Sequence, residues 1–171
     1  MSAAAERIAA LGLTLPPVVP PVAAYVPAVR TGNYVYTSGQ LPMVDGKLQA
    51  TGKVGESVSP EDAARLAQVC ALNALAAAAG AAGGLDAIAR VVKVTGFVAS
   101  APGFTGQAQV VNGASEFLIE VLGEAGRHAR SAVGMAVLPL DAPVEVEMIV
   151  EVSPTVEVSP TVEVVPGSGA A

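Results

Sequence analysis

The segment Val144–Val152 alternates without a break, with Val144, Val146, Met148, Val150 and Val152 on one side and Glu145, Glu147, Ile149 and Glu151 on the other. Strict period two over that length reads as a half-buried strand, and its apolar side needs a second layer to cover it. Ahead of it, Pro139-Leu140-Asp141-Ala142-Pro143 forms a turn, because the prolines remove backbone donors and preset the chain. Before the turn, a second extended run begins at Arg130. If these two strands pair, the Arg130 guanidinium and the Glu145 carboxylate approach one another near a sheet end, and this pair is the first candidate for chemistry.

The rest of the chain supplies the covering layer. Ser59-Pro60-Glu61-Asp62 is a helix start: Ser59 can cap, Pro60 suits the first helical position, and Asp62 can close a capping box. The helix is expected to run to about Ala79 and stop at Gly80. Its stripe of Ala63, Leu66, Ala67, Cys70 and Ala74 is narrow enough to lie close on a sheet. Arg90 to Val98 reads as a Val-rich strand, Ala101-Pro102-Gly103 as loop, and Val110, Val111, Ala114, Phe117, Leu118, Val121 and Leu122 as a second amphipathic helix ending near Gly123. Toward the N-terminus, residues 25–29 and 34–37 flank Arg30-Thr31-Gly32-Asn33 as a β-hairpin, with Pro27 marking its first strand as an edge. Residues 1–12 are expected as a short helical arm with Ile8 and Leu11 on one face, followed by an extended stretch through Pro16-Pro17 and Pro20-Pro21. The order predicts an α+β domain over residues 15–153, with two helices on one mixed sheet. Tyr34, Tyr36 and Ile149 leave the opposite sheet face partly apolar, which points to contacts between copies.

Composition closes off several classes. A net charge of -6 and a pI near 4.7 argue against a nucleic-acid footprint. The lone Cys70 forms no internal disulfide, and no Cys/His spacing suits a metal, so no metal is expected and a reducing cytoplasm is the simplest compartment. Glu6 and Arg7 interrupt any secretory leader. The uncharged run 66–85 invites a membrane reading, but Ala and Gly dominate it and Gln68, Asn73 and Gly83-Gly84 break it, so a buried helix and no membrane partner is expected.

Several short motifs carry more. Arg130-Ser131-Ala132-Val133, then Leu138-Pro139, then Val144-Glu145-Val146-Glu147, taken with Tyr25, Thr37-Ser38-Gly39-Gln40 and Asn112, resemble the RidA/YjgF family of enamine and imine deaminases. The resemblance implies a chorismate-mutase-like fold assembled as a homotrimer, with clefts between subunits. It implies that Arg130 holds the carboxylate of a small substrate and that Glu145 orients the attacking water. Tyr25, Ser38, Asn112 and the backbone at Ala132 would border the same cleft, with no cofactor. The implied reaction is hydrolysis of a reactive enamine or imine to a 2-oxo acid and ammonia. On the residues alone other readings stay open: a structural ion pair for Arg130, an exposed strand position for Glu145, an ordinary strand Tyr25 and turn Ser38. The chain departs from many members at Ala132, where they have Cys; Cys70 lies on a helical stripe and reads as core. His128, the only histidine, is a possible general base that the signature does not require. A non-catalytic small-molecule sensor and a ribonuclease or translation inhibitor are the alternative functions.

Beyond residue 153 the pattern changes. Glu151-Val152-Ser153-Pro154-Thr155-Val156 recurs as Glu157-Val158-Ser159-Pro160-Thr161-Val162 and then decays. A Pro every six residues forbids a central strand, so an extended or disordered tail is expected.

Overall fold

The computed structural model describes residues 3–18 and 24–153. The Pro20-Pro21 pair and the repeated tail after residue 153 lie outside the described residues. In chain order the elements are α1 (Ala3–Ala10), β1 (Ala28–Thr31), β2 (Tyr34–Thr37), β3 (Met43–Val44), β4 (Lys47–Leu48), α2 (Pro60–Ala82), β5 (Ile88–Ala99), α3 (Gln107–Leu122), β6 (Ala129–Met135) and β7 (Val144–Val152). Five strands form one mixed sheet in the order β1-β2-β7-β5-β6, and β3 and β4 form a separate hairpin. Only β5 and β6 run parallel, joined through α3 as a crossover must be. The fold is the α+β layer that the element order predicts.

Burial follows the period-two pattern. Val144, Val146, Met148, Val150 and Val152 are all buried under the helices, beside Val91, Val94 and Val98 of β5. Small residues let the layers close up. A Cβ on Gly96 of β5 would fall 2.7 Å from Val111 Cγ1 of α3, and one on Gly113 would fall 2.7 Å from the Ala64 carbonyl carbon of α2. Both are closer than packed atoms tolerate, so these glycines set the spacing of α3 to the sheet and to α2. α2 is long and apolar enough to cross a membrane by composition, yet most of its apolar window is buried against sheet and α3, as in a core helix. Cys70 is fully buried in it, its Sγ 3.7 Å from the Val144 carbonyl. α1 packs its buried Ile8 on the same body, and Arg7 Nη1 donates to the Val121 carbonyl at 3.1 Å.

Three expectations are corrected. First, β6 and β7 do not pair, because β5 lies between them. The central place goes to β7, whose whole apolar face is buried, whereas β6 leaves Val133, Gly134 and Met135 exposed and stays at the edge. Second, α2 runs through Gly80 and is capped instead at Gly83, which sits at φ 91° while the Ala79 carbonyl accepts the N–H groups of Gly83 and Gly84. A helical glycine costs only about 1 kcal/mol, and Gly80 leaves room for Val18: an added Cβ would meet Val18 Cγ2 at 2.9 Å. Third, α3 starts at Gln107, ahead of the periodic run that begins at Val110, so the loop before it is shorter than expected and Asn112 stands inside the helix.

Candidate active site

Arg130 lies level with Val94 of β5, which in turn is level with Met148 of β7. Partners at one level point to one face, so the guanidinium reaches toward α3. There Nη1 donates to Asn112 Oδ1 at 2.9 Å and to Ser115 Oγ at 3.1 Å, and Nη2 donates to the Ala108 carbonyl at 3.2 Å. All three acceptors are neutral. Among the described residues the ion pairs are Arg65–Asp62 and Arg127–Glu124, so the structural ion pair open to Arg130 on sequence grounds is not formed. Among the described residues no acceptor meets Nε–H or the second Nη2–H, and the Nε/Nη2 edge is the side-on fork that a carboxylate fits. Behind Arg130, His128 Nε2 lies 3.0 Å from Ser115 Oγ and His128 Nδ1 lies 2.6 Å from the Gly126 carbonyl. Burial, with Arg130 adding to it against the opposing Gly126 bond, holds the imidazole below its ordinary pKa. Ala132 faces the same way two residues on, level with Gly96, its methyl packed against the core.

Glu145 belongs to a different part of the sheet. It is level with Phe97, itself level with Val133, on the face that carries no helix. The segment after β2 runs beside it, with Gln40 and Val146 exchanging backbone hydrogen bonds at 2.8 and 3.0 Å. This brings Gly39 under the carboxylate. A Cβ at Gly39 would fall 2.7 Å from Glu145 Cδ and 3.0 Å from Cγ, and nearer still to Oε1. Thr-Ser-Gly-Gln therefore needs its glycine to leave room for Glu145. Among the described residues no donor reaches this carboxylate. Burial first, and the neighbouring Glu147 second, raise its pKa above the usual glutamate value. Ser38 donates through Oγ to the Val26 carbonyl at 2.7 Å and through N–H to the Pro27 carbonyl at 2.9 Å. These bonds tie the Tyr25 end of the hairpin beside Glu145, and Tyr25 itself is exposed.

The predicted residues thus fall into two clusters. Arg130 and Asn112, with Ala132 on the same face, form one; Glu145 and the Ser38-Gly39 segment form the other, and Tyr25 is exposed just ahead of the Val26 and Pro27 carbonyls that Ser38 binds. Two strand spacings and three residues of offset put the Arg130 and Glu145 Cα atoms roughly 14 Å apart, with side chains on opposite faces. The direct approach of Arg130 to Glu145 expected from strand pairing does not occur within one chain. Sequence reasoning missed Ser115 and the role of Gly39. Ser115 had a usable signal, since it follows Asn112 by three helical residues and so shares its face. Gly39 had none, because its contact comes from a distant strand.

The comparisons with known proteins agree with this architecture. The YjgF/chorismate mutase-like family model, whose description also carries the label endoribonuclease, matches residues 5–152. Protein TCP17 of Trypanosoma cruzi is 43% identical over 151 residues, covering 85% of this chain and 94% of that protein. A crystal structure of a protein of unknown function from Agrobacterium tumefaciens is 51% identical, with a TM-score of 0.83 over 88% of this chain and 93% of that one. E. coli TdcF, solved with bound serine, is 27% identical, with a TM-score of 0.60 over 81% of this chain and 94% of that one. The match over nearly the whole described body, together with the mixed sheet under two helices, makes this chain a member of the RidA/YjgF family.

Proposed function

We propose that this protein hydrolyses small enamines and imines derived from α-amino acids, giving 2-oxo acids and ammonia, in clefts formed between copies of a homotrimer. The observation that carries this reading is Arg130: a guanidinium fixed by three neutral acceptors, with no carboxylate among the described residues against it and with its Nε/Nη2 edge facing away from those acceptors. A positioned, unpaired cation of this geometry suits a small carboxylate. The bound serine of the TdcF relative, a molecule with an α-carboxylate, supports the same ligand class.

The chemistry then needs few groups. With the carboxylate on Arg130, the adjacent C=N carbon is placed for attack by water. Glu145, whose raised pKa brings it nearer to neutrality, takes one proton from water as the oxygen bonds to carbon. The same carboxyl returns that proton to nitrogen, giving a carbinolamine; it then carries the hydroxyl proton to the amine nitrogen as the C=O bond forms and the C–N bond breaks, so ammonia leaves with both water protons and the 2-oxo acid remains. Neither a thiol nor a cofactor enters these steps, so Ala132 in place of Cys is compatible with them. Because one copy holds Arg130 and Glu145 apart, the reaction requires the Arg130 cluster of one subunit to meet the Glu145 cluster of the next. The open sheet face, with Val29, Tyr34, Tyr36 and Val133 exposed, supplies a surface for that assembly. A cytoplasmic setting goes with this role.

The test is ammonia release from freshly generated 2-iminobutyrate or 2-iminopropionate, compared with Arg130→Ala. Turnover lost in the variant with assembly intact supports the reading. Carboxylate binding without ammonia release would assign a sensor role instead.

A further inference from the structure

Arg130 is held from behind by groups that the proposed chemistry does not use. Their hydrogen bonds have a direction that can be read from one end. The Gly126 carbonyl can only accept, so His128 Nδ1, 2.6 Å away, carries the proton. A neutral imidazole protonated on Nδ1 has a bare Nε2, which accepts. Ser115 Oγ, 3.0 Å from Nε2, therefore spends its single proton there and offers a lone pair to Arg130 Nη1 at 3.1 Å. The other Nη1 proton goes to Asn112. The anchor is itself fixed: Gly126 is buried, and a Cβ on it would lie 2.6 Å from the Leu118 carbonyl carbon and 2.8 Å from Ile119 Cα. That turn is pressed onto the backbone of α3 and its carbonyl has little freedom.

We propose that Ser115 and His128 are positioning residues for Arg130, a one-way relay from guanidinium to hydroxyl to imidazole to the Gly126 carbonyl that aims the Nε/Nη2 fork into the cleft. The inference rests on the reading that Arg130 takes the substrate carboxylate. His128 is not a general base in this arrangement, since both of its nitrogens are engaged. Arg130 on β6 is the charge felt by the imidazole; Glu124 and Arg127 of the preceding turn pair with each other, and α3 meets it with the neutral Ser115. Without the Ser115 hydroxyl as acceptor, Nη1 keeps only Asn112 and the guanidinium loses one of its three fixed contacts.

The chain has one histidine, so a long-range proton–nitrogen spectrum of uniformly 15N-labelled protein reports His128 alone. At pH 7 the expected spectrum shows a protonated Nδ1 and a bare Nε2, and Arg130→Gln is expected to raise the His128 pKa by removing the facing cation. In turnover, His128→Gln places a carbonyl oxygen where Nε2 stood and is expected to keep KM within about threefold, as is Ser115→Thr. His128→Asn and Ser115→Ala, which lose that acceptor or the hydroxyl, are expected to raise KM about tenfold with kcat much less affected. Nε2 protonated in the wild type overturns the relay, as does equal KM for His128→Gln and His128→Asn. Wild-type protein that releases no ammonia would sink the proposed activity but not the relay. The relay would then be judged by the His128 tautomer and its response to Arg130→Gln, and it fails if Arg130→Gln leaves the His128 pKa unmoved.

Discussion

Gly39→Ala separates folding from catalysis at one atom. The added methyl carbon would lie 2.7 Å from Glu145 Cδ and 3.0 Å from Cγ, where ordinary carbon contacts need about 3.5 Å or more. Gly39 is not among the positive-φ glycines, so alanine meets no backbone strain there. The obstruction is the end of a flexible side chain, and Glu145 can swing aside at a stability loss of about 1 kcal/mol. The carboxylate then sits on the order of 1 Å or more from its place, a misplacement that costs about 10²-fold in rate. The expected outcome is a kcat about 10²-fold lower in ammonia release, a KM near wild type because the Arg130 cluster is untouched, and a melting curve close to that of the parent. An unchanged kcat would mean that the position of Glu145 over Gly39 is irrelevant to the reaction. A collapse of the melting curve would mean that the contact is structural.

Arg130→Lys keeps the charge and loses the fork, and steady-state kinetics are expected to show KM raised about 10²-fold, the size of a lost charge-assisted pair. The rate should fall at acid pH as Glu145 protonates, with the acid limb of kcat/KM above the ordinary glutamate value; Glu147→Gln removes the like charge and is expected to move that limb to lower pH. The sign for stability is opposite: a raised folded-state pKa means that the contribution of Glu145 is present below the unfolded value and lost as pH rises through the folded one. Glu145→Gln is therefore expected to raise the neutral-pH Tm while abolishing turnover. Gly113→Ala puts a carbon against the Ala64 backbone, and denaturant unfolding is expected to show a loss of about 1–3 kcal/mol.

Much of this was legible because the informative signals are local. The alternation from Val144 to Val152 fixed which side of β7 is buried, and Ser59, Pro60 and Asp62 marked the start of α2, where the Ser59 hydroxyl accepts the Asp62 N–H. The glycine signals misled at Gly80, since local propensity cannot register that Val18 occupies the space beside it. Strand neighbours are a long-range property: nothing between Arg130 and Glu145 announces that β5 will insert between their strands. That insertion divides the residues brought together by their motifs into two clusters on opposite faces. The Ser115–His128 support of Arg130 was hidden for a similar reason, since it depends on how the turn at Gly126 presses on α3.

Subunit mixing tests the division of the site most directly. Arg130→Ala and Glu145→Gln are each expected to be inactive alone. Unfolded together in equal amounts and refolded into mixed copies of the proposed trimer, they would place an intact Arg130 beside an intact Glu145 at about one cleft in four. Ammonia release approaching a quarter of the wild-type rate is the expected result. Activity no greater than the sum of the two separate variants, with mixed assemblies verified by mass spectrometry, would contradict a site shared between copies.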